Sequence, residues 1–158
     1  MITIIPTLEI MKTNIDNNIQ GNQAELRRES FDNIVELVSL ANVEIILEGS
    51  IFERIDSKLN QDHKIFFNSG LFRIDNSVKG VVGFNTTKAI CWVAESESKS
   101  RKVIILTENT QDYKQICNGK IVAVSPSTFI DRVERAKNNY QNRLMSNLDD
   151  SLNALFFI

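Results

Sequence analysis

The stretch "KVIILTENTQDY", Lys102–Tyr113, decides the fold class. Four consecutive aliphatic residues, 103–106, run directly into a threonine, a glutamate and an asparagine. Such unbroken aliphatic runs are typical of strands buried on both faces, which occur in parallel sheets covered by helices. The polar residues that follow then lie at the carboxyl edge of the sheet, where open α/β sheets bind their ligands. We therefore expect a buried parallel strand that ends at a functional edge.

Similar apolar runs alternate with helical patterns along the rest of the chain. Apolar residues at helical spacing predict helices, and short β-branched runs predict strands. Predicted strands cover 1–5 (before Pro6), 42–47, 102–106 and 120–124, and predicted helices cover 23–41, 49–59, 85–98, 110–116 and 126–144. Residues 14–22 are expected to form a loop. For residues 63–84 the pattern allows either short helices or a hairpin around 75–80. The alternation predicts a three-layer α/β/α fold with a mostly parallel central sheet.

Three helix starts carry sequence signals. Ser50 followed by Glu53 has the spacing of a capping box. Asn85 or Thr86 is expected to cap the helix that follows it. Ser125 before Pro126 combines a capping residue with proline at the first helical position.

Length and composition restrict the class of protein. A chain of 158 residues suits one hydrophobic core, and the net charge of −2 argues against nucleic-acid binding through bulk positive charge. No apolar run approaches the roughly 20 residues of a membrane span, and the amino-terminal residues lack the basic region of a signal peptide. Cys91 and Cys117 have no CxxC spacing and are expected to be reduced thiols of a cytoplasmic protein.

The chain closes on the apolar residues 155–158, LFFI. A tail this apolar is expected to dock either on its own domain or on a partner, including a second copy of the chain. We therefore divide the sequence into an α/β domain, 1–135, and a helical apolar tail, 136–158.

Several segments together resemble the PIN-domain ribonucleases, a superfamily that includes many toxins of bacterial toxin–antitoxin pairs. "IILTENTQDY" is similar to that family's strand-end motif of aliphatics, Thr, a variable residue, Asn or Asp, and then Asp with an aromatic. "KIVAVSPSTFIDRV" resembles its last strand and final helix. "VEIILEGSIFERI" and "NTTKAICWVAES" are similar to its second strand with the following helix, and to a helix that begins at an acid. The resemblance covers roughly residues 2 to 135.

The resemblance implies an activity and a site. Its members cleave RNA with one or two Mg²⁺ or Mn²⁺ ions, which carboxylates hold at the edge of the sheet. By this analogy Glu53 and Asp112 are the metal ligands. Asn85 and Asn109 are implied as supporting site residues, together with Glu9 or Glu108.

This sequence departs from the family pattern at two positions. Pro6 and Thr7 stand where the first strand is expected to end in an aspartate, and Asn85 stands where a helix is expected to begin with an acid. Two carboxylates and two amides bind a metal less tightly than a full carboxylate set. The resemblance therefore implies a degenerate member that either cleaves RNA or only binds RNA or protein. In an alternative alignment residues 3–12 are the second strand, Glu9 is the family glutamate, and the first strand is missing.

Other interpretations use the same residues differently. Asp75 with Glu97-x-Lys99 has the residue set of a restriction-type nuclease, which requires a strand near 90–96, whereas this composition favours a helix. Helix capping alone also explains Glu53, and a surface position on a short helix explains Asp112. From a different class comes an inactive α/β scaffold that assembles through its apolar tail.

Overall fold

The computed structural model describes residues 1–67 and 69–157. Within these ranges the chain forms five strands, seven α-helices and one 3₁₀ helix, Thr110–Ile116. The strands are β1 Ile2–Pro6, β2 Val43–Glu48, β3 Phe72–Asp75, β4 Lys102–Leu106 and β5 Ile121–Val124. The α-helices are α1 Leu8–Ile15, α2 Asn22–Leu40, α3 Gly49–Asp56, α4 Gln61–Phe67, α5 Thr86–Glu97, α6 Pro126–Gln141 and α7 Leu148–Phe156.

The strands form one sheet in the order β3-β2-β1-β4-β5, and every pairing is parallel. The first strand is therefore central, with Ile2 in register with both Val43 of β2 and Lys102 of β4. From β1 the chain moves outward to β2 and β3, and then returns to the other side of β1 as β4. The direction reverses between β1 and β4, which makes this pair the topological switch point.

Helices cover both faces of the sheet, which confirms the predicted three-layer α/β architecture. On one face, α2, α6 and α7 supply buried side chains such as Ile34, Phe129 and Leu152. On the other face, α3, α5 and the 3₁₀ helix supply Ile51, Ile90 and others. Because both faces are buried, successive residues of each central strand are apolar, and this explains the continuous aliphatic runs.

Two of the predicted helix starts are confirmed and one is wrong. Asn85 Oδ1 accepts the backbone N–H of Lys88 at 2.8 Å, and Ser125 Oγ accepts that of Thr128 at 3.3 Å. At α3 the N-cap is Glu48, not Ser50: its carboxylate accepts the N–H groups of Ser50 and Ile51. Glu48 lies at the end of β2, and its long side chain reaches the N–H groups of the first helical turn. It therefore takes the capping role that the sequence pattern assigns to Ser50.

The segments for which the sequence predicts no single element form regular secondary structure. Residues 8–15 form α1, although no helix was predicted there. In the middle segment α4 leads into β3, which pairs in parallel with β2, so a hairpin centred on 75–80 is wrong. The segment 90–96 is helical within α5, so the strand that the restriction-type alternative requires is absent from this described segment.

The carboxyl-terminal residues pack on their own domain. Helix α6 runs through the predicted division at 135/136. Phe156 is 3% exposed and its ring lies 5.6 Å from that of Phe129, while the Ser151 hydroxyl donates to the Ala136 carbonyl at 2.7 Å. The tail is thus largely part of the core, except Ile158, which lies outside the described residues. In the described part of the chain no helix combines the length and apolarity needed to cross a membrane.

Candidate functional site at the switch point

A cleft of about 170 Å³ opens at the carboxyl ends of β1 and β4. Its walls come from residues 7–9 after β1, from residues 107, 109, 112 and 113 after β4, from the first turns of α5, and from Arg54 on α3. The place is the one that the strand order favours, because loops diverge where the sheet topology reverses.

Two buried threonines form the floor of this switch-point cleft. The backbone N–H and the hydroxyl of Thr7 both donate to the Leu106 carbonyl, at 3.0 and 3.2 Å. The backbone N–H of Thr107 donates to the Val124 carbonyl at 3.0 Å, and its hydroxyl donates to Glu9 Oε1 at 2.9 Å. These bonds continue the sheet one residue beyond its strands, so the groups above the floor are held on a rigid base.

Glu9 is oriented by the end of β4, although it belongs to the first turn of α1. Its Oε1 accepts the Thr107 hydroxyl and also the backbone N–H of Glu108 at 3.3 Å. Both of these hydrogen bonds use Oε1. Within the described residues Oε2 has no hydrogen-bond partner, so it is available to bind a ligand. The short step from β1 through Thr7 into α1 brings this carboxylate into the cleft.

The polar end of β4 folds into a hydrogen-bonded turn that presents Asn109 and Asp112. The backbone N–H of Asn109 donates to Thr107 Oγ1 at 3.0 Å, and that of Asp112 donates to the Asn109 carbonyl at 3.0 Å. Both side chains are exposed and line the cleft. Beside them Tyr113 is buried, and this burial raises its pKa to about 12 against the opposing effect of a hydrogen bond with Thr87. The Tyr113 phenol is therefore neutral at physiological pH.

Glu108 faces a different partner. Arg27 of α2 binds both of its carboxylate oxygens, through Nε at 2.8 Å and through a second guanidinium nitrogen. The same guanidinium donates to Thr13 Oγ1 of α1 at 2.9 Å. A carboxylate held by a bidentate arginine is a poor metal ligand. Glu108 therefore fastens the loop after β4 to α1 and α2.

The structure brings some of the predicted site residues together and places others apart. Asn109, Asp112 and Glu9 line the cleft. Asn85 uses its side-chain oxygen to cap α5, one residue before the cleft-lining Thr86. The Glu53 side chain is 66% exposed, lies 3.7 Å from the Lys79 ammonium, and does not line the cleft.

Sequence reasoning missed the cleft-lining residues Arg54, Thr86 and Thr87, and it missed Arg27, which pairs with Glu108. Arg54 directly follows Glu53, and the sequence does not show which of these two side chains lies on the face of α3 that turns towards the cleft. Thr86 and Thr87 follow the recognised cap, and their place at the helix start was the available signal. Arg27 and Glu108 are 81 residues apart, and no local pattern links them.

The donor atoms of the cleft allow a test of the implied metal. Among the described residues no group of three or more His, Cys, Asp or Glu side chains is arranged to hold an ion. The cleft offers two carboxylates, one amide and several hydroxyls, all of them hard oxygen donors. Mg²⁺ commonly keeps its waters and uses one or two carboxylates together with substrate phosphates. This donor set fits an ion that binds together with a phosphate, rather than an all-protein cage.

No protein-family model, curated protein or solved structure matches this chain. The PIN-like assignment therefore stays a prediction from sequence motifs. To these motifs the structure adds two observations, an all-parallel sheet and a polar cleft at its switch point.

Proposed function

We propose that this chain is a PIN-like nuclease-superfamily protein whose switch-point cleft binds RNA together with one Mg²⁺ or Mn²⁺ ion and cleaves it slowly. One observation carries the proposal: Glu9, which follows β1, and Asp112, which follows β4, line the same cleft. Switch points of parallel sheets are common ligand sites, and two carboxylates that line one cleft supply the kind of oxygen ligand that metal-assisted phosphodiester chemistry uses.

The polar residues of the cleft have distinct roles in this proposal. Glu9 Oε2 and the Asp112 carboxylate would hold the ion, with the Asn109 amide oxygen in support. When bound, such an ion polarises a phosphoryl oxygen and lowers the pKa of a coordinated water. Arg54, the one cation among the described cleft-lining residues, binds the phosphate through its planar fork of N–H donors.

The start of α5 adds a second contribution to phosphate binding. Thr86 and Thr87 lie in its first turn and line the cleft. The positive end of a helix favours a nearby anion, and the threonine hydroxyls are additional donors. The cleft thus pairs two carboxylates for a cation with an arginine and a helix start for an anion.

The depleted acid set predicts the character of the activity. With two carboxylates, protein affinity for the free ion is low, so metal and RNA each strengthen the binding of the other. We expect Mn²⁺ to support more activity than Mg²⁺, since divalent manganese demands a less strict octahedral site and dehydrates more readily than magnesium.

Cleavage of a labelled single-stranded RNA in Mn²⁺ tests the proposal. Asp112→Asn and Glu9→Gln each remove one carboxylate ligand while keeping size, and each is expected to lower the cleavage rate by about 10²-fold or more, since loss of even an outer-shell partner of a metal costs about 10- to 100-fold. Glu53→Gln is the matched control because it removes the same charge from an exposed position, and it should keep full activity.

Three results would decide against the assignment or restrict it. Activity that survives Asp112→Asn unchanged removes the cleft as the catalytic site. Loss of activity in Glu53→Gln but not in Glu9→Gln moves the site to the residue that sequence motifs implied. Mn²⁺-dependent RNA binding with no cleavage by the native protein removes catalysis and leaves a degenerate, RNA-binding member.

The alternative of an inactive module that assembles through its tail gains no support from the packing. Leu152 and Phe156 are buried in the core of the same chain, while Leu155 and Phe157 are half-buried. Among the described residues of the tail, the large apolar side chains that stay exposed are Tyr140 and Leu144, which lie before α7.

A further inference from the structure

We propose that a basic pocket at the opposite, amino edge of the sheet binds the phosphate groups of a nucleotide or an RNA strand. This amino-edge pocket has a volume of about 550 Å³ and is lined by Met1, residues 99–102, Lys120 and, from α7, Asp150 and Asn153. A volume of this order suits a nucleotide-sized ligand. The proposal does not depend on the function of the switch-point cleft.

Strand order explains why the basic residues meet. Strands β1, β4 and β5 are parallel neighbours, so the residues at their starts share one edge. Ile2 is in register with Lys102, and the Lys120 carbonyl accepts the N–H of Val103 at 2.8 Å, which fixes Lys120 beside Lys102. Lys99 joins them from the turn between α5 and β4.

The charges in the pocket do not balance. Arg101 is paired with Glu44 and lies 3.9 Å from Glu97. Within the described part of the chain the ammonium groups of Lys99, Lys102 and Lys120 form no ion pair, and that of Lys102 lies 5.3 Å from the centre of the Phe157 ring.

The one carboxylate among the described residues that line the pocket offsets only part of these charges. Asp150 contributes a single negative charge against the three unpaired lysines, and it also accepts the Ser146 hydroxyl at 3.2 Å. The pocket is therefore positive on a chain whose net charge is −2. A concave surface that gathers several unpaired ammonium groups favours anions with more than one charge, such as phosphates.

Helix capping accounts for only one of these lysines. Helix α5 ends at Glu97, and a cation near its last carbonyls stabilises the negative end of the helix, which explains Lys99. Lys120 lies at the start of a strand, where no such dipole acts. The convergence of lysines from separate segments is instead explained by a shared anionic ligand.

Amide chemical shifts of ¹⁵N-labelled protein test the proposal with two probes, adenosine monophosphate and a short oligouridylate, both with metal removed. We expect each probe to shift the amides of residues 99–102 and 120–121, and we expect binding to weaken as salt is raised. Tighter binding of the oligouridylate would identify the RNA backbone as the source of the phosphates. Equal or tighter binding of the mononucleotide would identify a free nucleotide.

A double variant gives the contrast. Lys99→Ala with Lys120→Ala removes two exposed charges and is expected to weaken both probes by about tenfold or more, whereas Lys99→Arg with Lys120→Arg should retain binding. The matched control, Lys58→Ala with Lys64→Ala, makes the same charge change at exposed positions outside the pocket. Equal losses in the two alanine doubles, or no shift at the amino edge with either probe, would overturn the proposal.

Discussion

Thr3 and Thr7 are both buried, Thr3 within the central strand β1 and Thr7 directly after it. Their hydroxyls differ in hydrogen bonding. The Thr7 hydroxyl donates to the Leu106 carbonyl at 3.2 Å. Thr3 is fully buried, and its Oγ1 has no hydrogen-bond partner within the described residues. An unsatisfied buried hydroxyl costs free energy that a methyl group of the same shape does not.

We predict that Thr3→Val raises the free energy of unfolding by about 1 kcal/mol, because it removes an unpaired polar atom without changing shape. Thr7→Val, the matched comparison, should lower it by about 1 kcal/mol, since it removes the hydroxyl hydrogen bond to the Leu106 carbonyl and leaves only the backbone one. Urea denaturation measures both. If the two variants lost stability equally, the Thr3 hydroxyl would have a partner after all.

Among charged residues, the partner rather than the residue type decides the role. Glu48 caps α3, Glu53 faces Lys79 in solvent, and Glu108 is held by Arg27. Each of these glutamates lies at or near a strand end, and nothing in the neighbouring sequence separates them from Glu9. The sequence therefore predicted an acidic side chain at this edge of the sheet but did not single out Glu9 from the other glutamates.

At the scale of elements, α5 shows how a site prediction and a capping prediction can use one residue. Asn85 was implied as a site residue by resemblance and expected as a cap from its position. In the structure its side-chain oxygen accepts the Lys88 N–H at 2.8 Å, so this oxygen already has a structural role. The helix it starts carries Thr86 and Thr87 to the cleft.

We predict that Asn85→Ala lowers the free energy of unfolding by about 1 kcal/mol, the usual cost of losing a cap. Asn85→Asp keeps an accepting oxygen and adds a negative charge at the positive end of the helix, so its stability should equal or exceed that of the native protein. Thermal unfolding and Mn²⁺ binding are measured side by side. Lost metal binding in Asn85→Ala with unchanged stability would show a direct ligand instead of a cap.

The elements also differ in how well the sequence predicts them. Strands β4 and β5 and helices α2, α5 and α6 have long periodic patterns or clear start signals, and they were predicted within a few residues. Helix α1 was missed because it follows β1 after a single residue, Thr7, so no loop signal separates the two elements. Strand β3 is an edge strand of four residues with two exposed side chains, so it lacks the continuous apolar run of the central strands.

At the scale of the whole molecule, the terminal helix completes one face of the core. Phe156 of α7 packs against Phe129 of α6, and the Arg132 guanidinium lies 5.7 Å from the centre of the Phe156 ring. Its neighbour Phe157 is only half-buried. The end of the chain therefore contributes to the stability of the domain, where the sequence alone allowed either a core or a partner.

We predict that Phe156→Ala lowers the free energy of unfolding by about 3–5 kcal/mol, the range for removing a buried phenylalanine. Phe157→Ala, which removes the same atoms from a half-buried position, should cost clearly less. Urea denaturation compares the two, and light scattering on Phe157→Ala reports the mass in solution. A Phe156→Ala variant as stable as the native protein, or a change of mass in Phe157→Ala, would point to a partner instead.

The sequence by itself determined the fold class and the place of the site. Unbroken aliphatic strands require burial on both faces, and the polar residues after β4 had to lie at a carboxyl edge. Only the tertiary structure decided which partner each glutamate has: Glu9 accepts the Thr107 hydroxyl in the cleft, Arg27 pairs with Glu108, and Glu53 stays in solvent. The physical reason is sequence separation. Periodicity and capping are local and involve a few neighbouring residues, whereas these contacts join residues that are distant in sequence and depend on the order of the strands.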